Sequence, residues 1–129
     1  MSGRPRVLIV DDEPDVLLTL RMIFEAEGFD ASLAADGETA LRRIDDEQHD
    51  LVVLDIMMPV LDGWFVLAEL AGRAQRPRVV VCSAKSSDVD RIRARELGAD
   101  EYVTKPFEPD DLVNVVRSVL ARSNGQARL

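Results

Sequence analysis

The stretch "LVVLDIMMPVLDGW", residues 51–64, decides how the chain folds. Four apolar residues run straight into Asp55; two methionines, a proline and an Asp-Gly pair follow, and an apolar pattern of helical period starts at Trp64. A run that is apolar on both faces is the pattern of a strand covered by helices on both sides, which belongs to a parallel sheet. Asp55 then stands where that strand gives way to a loop.

Working outward, "RVLIV" (6–10) and "RVVVCS" (78–83) have the same character, and "DASLA" (30–34) and "DEYVT" (100–104) are weaker strand candidates. Between them, Val16, Leu17, Leu20, Ile23 and Phe24 share one helical face after Pro14, and Gly28 ends that helix. Ala40, Leu41 and Ile44 mark a second helix, and Trp64, Val66, Leu67 and Leu70 a third with Gly72 near its end. Val89, Ile92 and Leu97 mark a fourth, capped by Gly98, and Leu112, Val115, Val116 and Val119 a fifth starting near Pro109. Strict β-α alternation predicts an α/β sheet wound by right-handed crossovers, with helices on both faces.

The chain has 129 residues, 47% of them hydrophobic and 31% charged, which suits one globular domain. Residues 1–122 read as that domain and 123–129 as a polar tail or the start of a linker. The net charge of −8 argues against contact with nucleic acid or an anionic membrane, both of which need an electropositive face. Cys82 is the single cysteine, inside an apolar run, and reads as a buried hydrophobe in a reducing compartment. No apolar stretch approaches the eighteen or so residues that span a bilayer, so the expectation is a soluble, cytoplasmic protein. His49, in the polar "DDEQHD" segment, is expected to be a solvated surface residue.

In wound sheets of this kind ligands sit outside the carboxyl ends of the strands. Those positions hold Asp11, Asp12 and Glu13 after the first strand, Asp55 after the third, Ser83 and Ala84 after the fourth, and Lys105-Pro106 after the fifth. Each has an ordinary reading on its own: an acidic cap before a helix, a serine cap, a turn, and Met57 and Met58 as core filler. Together they form a set. Carboxylates held close together call for a cation, and Mg²⁺ prefers a hard oxygen set of one or two carboxylates plus phosphate. Carboxylates, a lysine and a hydroxyl with no obvious base suit phosphoryl chemistry, which rests on positioning and electrostatics, and in which a carboxylate can itself be the nucleophile.

These residues resemble the receiver domains of two-component response regulators, through "VLIVDDEPDV", "LVVLDIMMPVLDGW", "VVVCSA" and "GADEYVTKPF", in that family's order and spacing. The resemblance implies a flavodoxin-like, doubly wound sheet of strand order 2-1-3-4-5. It implies that Asp55 accepts a phosphoryl group from a sensor histidine kinase or phosphotransfer protein. Asp12, Asp55 and the Met57 carbonyl would ligate Mg²⁺, with Asp11 acting through a water. Lys105 and Ser83 would contact the phosphoryl oxygens, the Met57 and Ala84 N–H groups would complete the cradle, and Lys105–Pro106 would be cis. Tyr102 would rotate inward as the phosphoryl group draws in Ser83, changing a surface made by the fourth helix, fifth strand and fifth helix that is read by an effector protein or output domain. That surface would also serve a homodimer formed on phosphorylation, as in winged-helix regulators. Arg91, Ile92, Glu96, Asp100 and Asp111 fit the dimer pattern, whereas Arg95 and Val115 depart from it.

Two other functions are weighed by the same residues. An aspartyl-phosphate phosphohydrolase wants a second acid two residues after the nucleophile, where this chain has Met57. An unphosphorylated interaction scaffold of the same fold predicts loss of an acid or of Lys105, and none is lost. Met57, beside the acceptor, is expected to slow self-dephosphorylation, and Lys85 flanks the same approach.

Overall fold

The apolar runs become five parallel strands in the computed structural model, which describes residues 3–85 and 87–122. They are β1 (Arg6–Val10), β2 (Asp30–Ala34), β3 (Leu51–Asp55), β4 (Arg78–Ser83) and β5 (Glu101–Thr104), in the order β2-β1-β3-β4-β5. The helices between and after them are α1 (Pro14–Ala26), α2 (Gly37–Asp46), α3 (Gly63–Ala71), α4 (Asp88–Glu96) and α5 (Pro109–Leu120). The expected boundary at residue 122 and the tail at 123–129 fall at and beyond the end of the described residues.

Side-chain alternation along each strand divides the core in two. Val7, Ile9, Leu51, Val53, Val80 and Cys82 face one side, where Leu17, Leu20 and Phe24 of α1 and Leu112, Val113, Val116 and Val119 of α5 cover them. Leu8, Val10, Val52, Leu54, Val79 and Val81 face the other, under Ala40 of α2 and Trp64, Val66, Leu67 and Leu70 of α3. Each fully buried Leu, Val or Phe contributes roughly 1.5–3 kcal/mol, so β1 and β3, sealed on both faces, are the firmest part of the sheet. Burial pushes the Cys82 thiol up to about 12, which leaves it protonated and inert.

The helix starts have chemical causes. Asp36, Asp62 and Ser87 each accept the main-chain N–H three residues on, capping α2, α3 and α4, and prolines open α1 and α5. Gly28 and Gly98, with φ of 94° and 99°, follow the ends of α1 and α4 in the left-handed conformation that glycine adopts without strain. At the far end of α5, Arg78 donates to the main-chain carbonyls of Val119 and Arg122, both at 2.7 Å, and ties that end of the chain to β4.

Three expectations need correction. The last strand starts at Glu101 rather than residue 100, because Asp100 turns inward: its carboxylate accepts the Val79 N–H at 2.8 Å and its own N–H donates to the Val79 carbonyl. On α4, Val89 and Ile92 are exposed; the buried residue is Ala94, with Leu97 packed beside it, so this helix rests on the sheet through a small side chain. His49 is not solvated. Its side chain is 1% exposed, and neither ring nitrogen makes a hydrogen bond, Glu47 Oε1 approaching Nε2 at 3.2 Å outside hydrogen-bonding geometry. The loop from α2 to β3 folds back along Arg6, whose N–H donates to Asp50, and this carries the imidazole inside.

Burial holds the His49 imidazole below its ordinary value of 6.5, against the pull of Glu47. The unfolded chain therefore takes up a proton first as pH falls, and His49 contributes stability above its unfolded pKa that is lost below it. The expected outcome is that the unfolding free energy of wild type relative to His49→Gln drops between about pH 7.5 and about pH 5.5 in urea titrations. A difference that stays constant over that range would contradict it.

Candidate functional site

The winding reverses between β1 and β3. The chain leaves β1 toward β2 on one side and returns to pair β3 on the other, so the carboxyl ends of β1 and β3 face an open crevice. Asp11 directly follows β1 and Asp55 ends β3. The two are 3% and 5% exposed, and with the exposed Asp12 they bring a carboxylate oxygen each within 4.8 Å of one another.

One lysine answers this charge. Lys105, held by the turn after β5, donates from Nζ to Asp11 Oδ2 at 2.8 Å and lies 3.5 Å from Asp55 Oδ2. Its bond to Pro106 is cis, as the resemblance implied. The second oxygen of each buried acid takes a main-chain N–H: Glu13 donates to Asp11 Oδ1 at 2.9 Å, and Met57 to Asp55 Oδ1 at 3.0 Å.

Burial raises the Asp55 pKa above the ordinary carboxylate value, Asp11 adds to the rise, and the Met57 N–H and Lys105 oppose it. Burial also works against the charge on Lys105, but the hydrogen bond to Asp11 and the two carboxylate charges outweigh it, and the net shift is upward. Three carboxylates against one ammonium leave the cluster short of positive charge. The all-oxygen donor set and its close spacing fit a hard divalent cation, with Asp12 the least engaged member and both Asp11 oxygens already taken.

The loop from β3 to α3 explains the sharp turn of the opening stretch. The Ile56 carbonyl accepts from both Met58 and Gly63, closing the loop on itself. A Cβ on Gly63 would stand 2.4 Å from the Asp55 carbonyl oxygen and 2.5 Å from Ile56 Cα, so only glycine lets α3 begin this close to the acidic edge. Met58 is buried as core, while Met57 is 52% exposed.

Ser83 ends β4 and is fully buried; its hydroxyl accepts the Lys85 N–H at 3.1 Å. Ala84 follows, exposed at the rim. Tyr102, expected to swing inward only on switching, is already 9% exposed here, its hydroxyl donating to the Lys85 carbonyl at 2.6 Å. Burial raises its phenol pKa, and the neighbouring Ser83 hydroxyl pulls the other way. All the expected side chains thus stand at one edge of the sheet. Sequence reasoning gave no special place to Gly63, whose Asp-Gly pair read only as a turn, and it placed Arg91 in a dimer pattern, not over the Tyr102 ring where it lies.

The sequence profile of the response regulator receiver domain matches residues 7–117. The chain belongs to that family. Among curated relatives it is 46% identical over 123 residues to the transcriptional activator protein IrlR of Burkholderia pseudomallei, covering 95% of this chain and 52% of that one. It is 39% identical to the alkaline phosphatase synthesis transcriptional regulatory protein PhoP of Bacillus subtilis, over 92% of this chain and 49% of that one. It spans about half the length of the curated relatives it matches. Among solved structures, the receiver domain of the Francisella response regulator 1452 superposes with a TM-score of 0.86 at 35% identity, over 91% of this chain and 97% of that one. A CheY-like receiver domain protein from Methanospirillum hungatei gives 0.86 at 28% identity, over 92% and 94%.

Receiver domains are the phosphorylation-controlled switches of two-component signalling, and this receiver domain has the five-stranded fold and the acidic edge of its family. Its relatives are named as transcriptional regulators, not as enzymes. No helix among the described residues is long and apolar enough to cross a membrane.

One residue of the receiver domain's β3–α3 loop stands out. Val60 is fully exposed with φ of 67°, a left-handed conformation that a β-branched side chain adopts only under strain. Val60→Asn removes no packing and relieves that strain, so it is expected to stabilise the fold by about 1 kcal/mol in thermal or urea unfolding. Unchanged or reduced stability would show that the loop stores no such strain.

Proposed function

We propose that Asp55 is the phosphoryl acceptor of this receiver domain. The observation that carries the reading is the pairing of a buried carboxylate at the β3 end with Lys105 Nζ 3.5 Å away, inside a cluster of three acids. An Asp55 carboxylate oxygen attacks phosphorus, the P–N bond of a phosphohistidine breaks, and its electron pair returns to the imidazole. Burial works against the Asp55 charge, while the Met57 N–H and Lys105 favour the ionised form that acts as the nucleophile. Lys105 then meets the phosphoryl charge, the Ser83 hydroxyl donates to one phosphoryl oxygen while still accepting from Lys85, and the Met57 and Ala84 N–H groups fill the remaining directions.

Asp12, Asp55 and the Met57 carbonyl would hold Mg²⁺ directly, with Asp11 through a water, and the ion when bound would offset negative charge on the transferring oxygens. The chain turns over no substrate beyond its own acceptance and slow loss of phosphate; the place of a second acid is taken by Met57.

The donor is a sensor histidine kinase or a phosphotransfer protein, and the output is a changed α4–β5–α5 surface that an effector protein, an output domain or a second copy of the chain reads. The transcriptional names of the relatives favour an output domain. In this scheme residues 1–122 are the receiver unit and 123–129 a polar tail or the start of a linker. With a net charge of −8 the domain itself makes no direct contact with nucleic acid, and the transcriptional names of the relatives support a cytoplasmic location.

Incubation with acetyl phosphate and Mg²⁺ should add the mass of one phosphoryl group to wild type and none to Asp55→Asn, with a sizing column reporting any self-association. An equal gain in Asp55→Asn, or none in wild type, would overturn the assignment. The exposed, apolar Met57 beside the acceptor hinders approach of a hydrolytic water. Met57→Asn should therefore lose its phosphoryl group several-fold faster, followed by intact mass after the donor is removed; an equal or longer half-life would refute that role.

A further inference from the structure

The acidic edge of the site stands on strands buried on both faces, whereas the loop between β4 and α4 is held by a chain of contacts that ends on the surface. The Lys85 N–H donates to Ser83 Oγ at 3.1 Å, and the Lys85 carbonyl accepts from the Tyr102 hydroxyl at 2.6 Å. One peptide group thus joins the site's hydroxyl to the switch aromatic. Tyr102 is in turn covered by Arg91 of α4. The Arg91 guanidinium carbon lies 4.9 Å from the centre of the Tyr102 ring, Nη1 donates to the Tyr102 carbonyl at 3.4 Å, and Nη2 donates to the Thr104 hydroxyl. A planar guanidinium can face an aromatic ring and still bond to a strand, which an ammonium does less well.

Among the described residues α4 buries little else against β5. Its apolar residue Val89 is exposed and Ile92 half exposed, and Ala94 is the residue it buries completely. Arg91 therefore supplies a large part of the grip between the helix and the strand that carries Tyr102.

We propose that Arg91 is a positioning residue that holds Tyr102 inward against the Lys85 carbonyl, so that the unphosphorylated domain already favours the arrangement in which Ser83 serves the phosphoryl group. The proposal rests on the acceptor reading of Asp55 for its effect on phosphoryl binding. A ligand that requires the inward arrangement binds with an affinity scaled by the fraction of molecules already in it. A cation over an aromatic face at a partly exposed site changes such an equilibrium by about two- to fivefold. Removing Arg91 should weaken phosphoryl-type ligands by no more than that, and should leave binding of the cation alone untouched.

Tyr102 is the single tyrosine of the chain, so ring labelling with ¹³C-tyrosine reports it alone by NMR. The probes are Mg²⁺ alone and beryllofluoride with Mg²⁺, on wild type and Arg91→Gln. Arg91 is on the surface, and matching melting curves confirm that both proteins are folded. In wild type the ligand-free ring signal is expected near its position in the beryllofluoride complex. In Arg91→Gln the ligand-free signal should move toward that of an exposed tyrosine, beryllofluoride should return it, and beryllofluoride affinity should fall about two- to fivefold with Mg²⁺ affinity unchanged. An Arg91→Gln ring signal that stays at the wild-type position overturns the clamp even if beryllofluoride binds normally. Failure of wild type to bind beryllofluoride overturns the acceptor reading instead, and the ligand-free ring signal still decides whether Arg91 holds Tyr102.

Discussion

The buried group of Asp11, Asp55 and Lys105 is the constraint around which this receiver domain is arranged. Carboxylates do not go below the surface without compensation, and here each oxygen of both acids has a donor: Lys105 between them, the Glu13 N–H for Asp11 and the Met57 N–H for Asp55. Those donors come from three strand ends that meet only because β1 and β3 are neighbours and β5 returns to the same edge. The helices on both faces exclude water, which raises the Asp55 pKa and leaves the exposed Asp12 as the open corner of the cluster. With one lysine the cluster is short of positive charge, and a divalent ion would balance it better. The same shortage of positive charge that supports metal binding thus follows from how the acids are buried.

Two halves of the edge differ in stiffness. On the β1–β3 side, strands sealed on both faces and a loop pinned by the close approach of Gly63 to Asp55 and Ile56 hold the Asp55 carboxylate in a fixed place. On the β4–β5 side, Ala94 is the residue α4 buries completely, Arg91 grips β5 from the surface, and the loop before the helix is joined to Tyr102 through the Lys85 peptide. A switch needs this division. The charge change must occur where geometry is constant, and the response must occur where few buried contacts have to break. The apolar residues Val89 and Ile92, which α4 leaves exposed, lie on this looser side.

The sequence by itself determined the β-α alternation, the parallel sheet and which residues stand at the carboxyl ends of the strands. These are local properties: two-sided apolar runs, capping residues, prolines and glycines act within a few residues of where they stand, and a parallel sheet with helices on both faces leaves few ways to wind. The acids, Ser83 and Lys105 were legible for the same reason, since each sits one step beyond a recognisable strand. Tertiary structure alone decided the rest. His49 looked like a surface residue in a polar segment and is buried because that segment folds back along Arg6. The α4 pattern looked like a buried face and is half exposed, because the helix sits on the edge of the sheet where there is little to cover. Tyr102 was expected to wait outside, and its inward position depends on Arg91 and on the Lys85 carbonyl, contacts across 11 and 17 residues that no periodicity encodes. Propensity and pattern report which face a residue belongs to; only packing fixes which neighbour that face will meet.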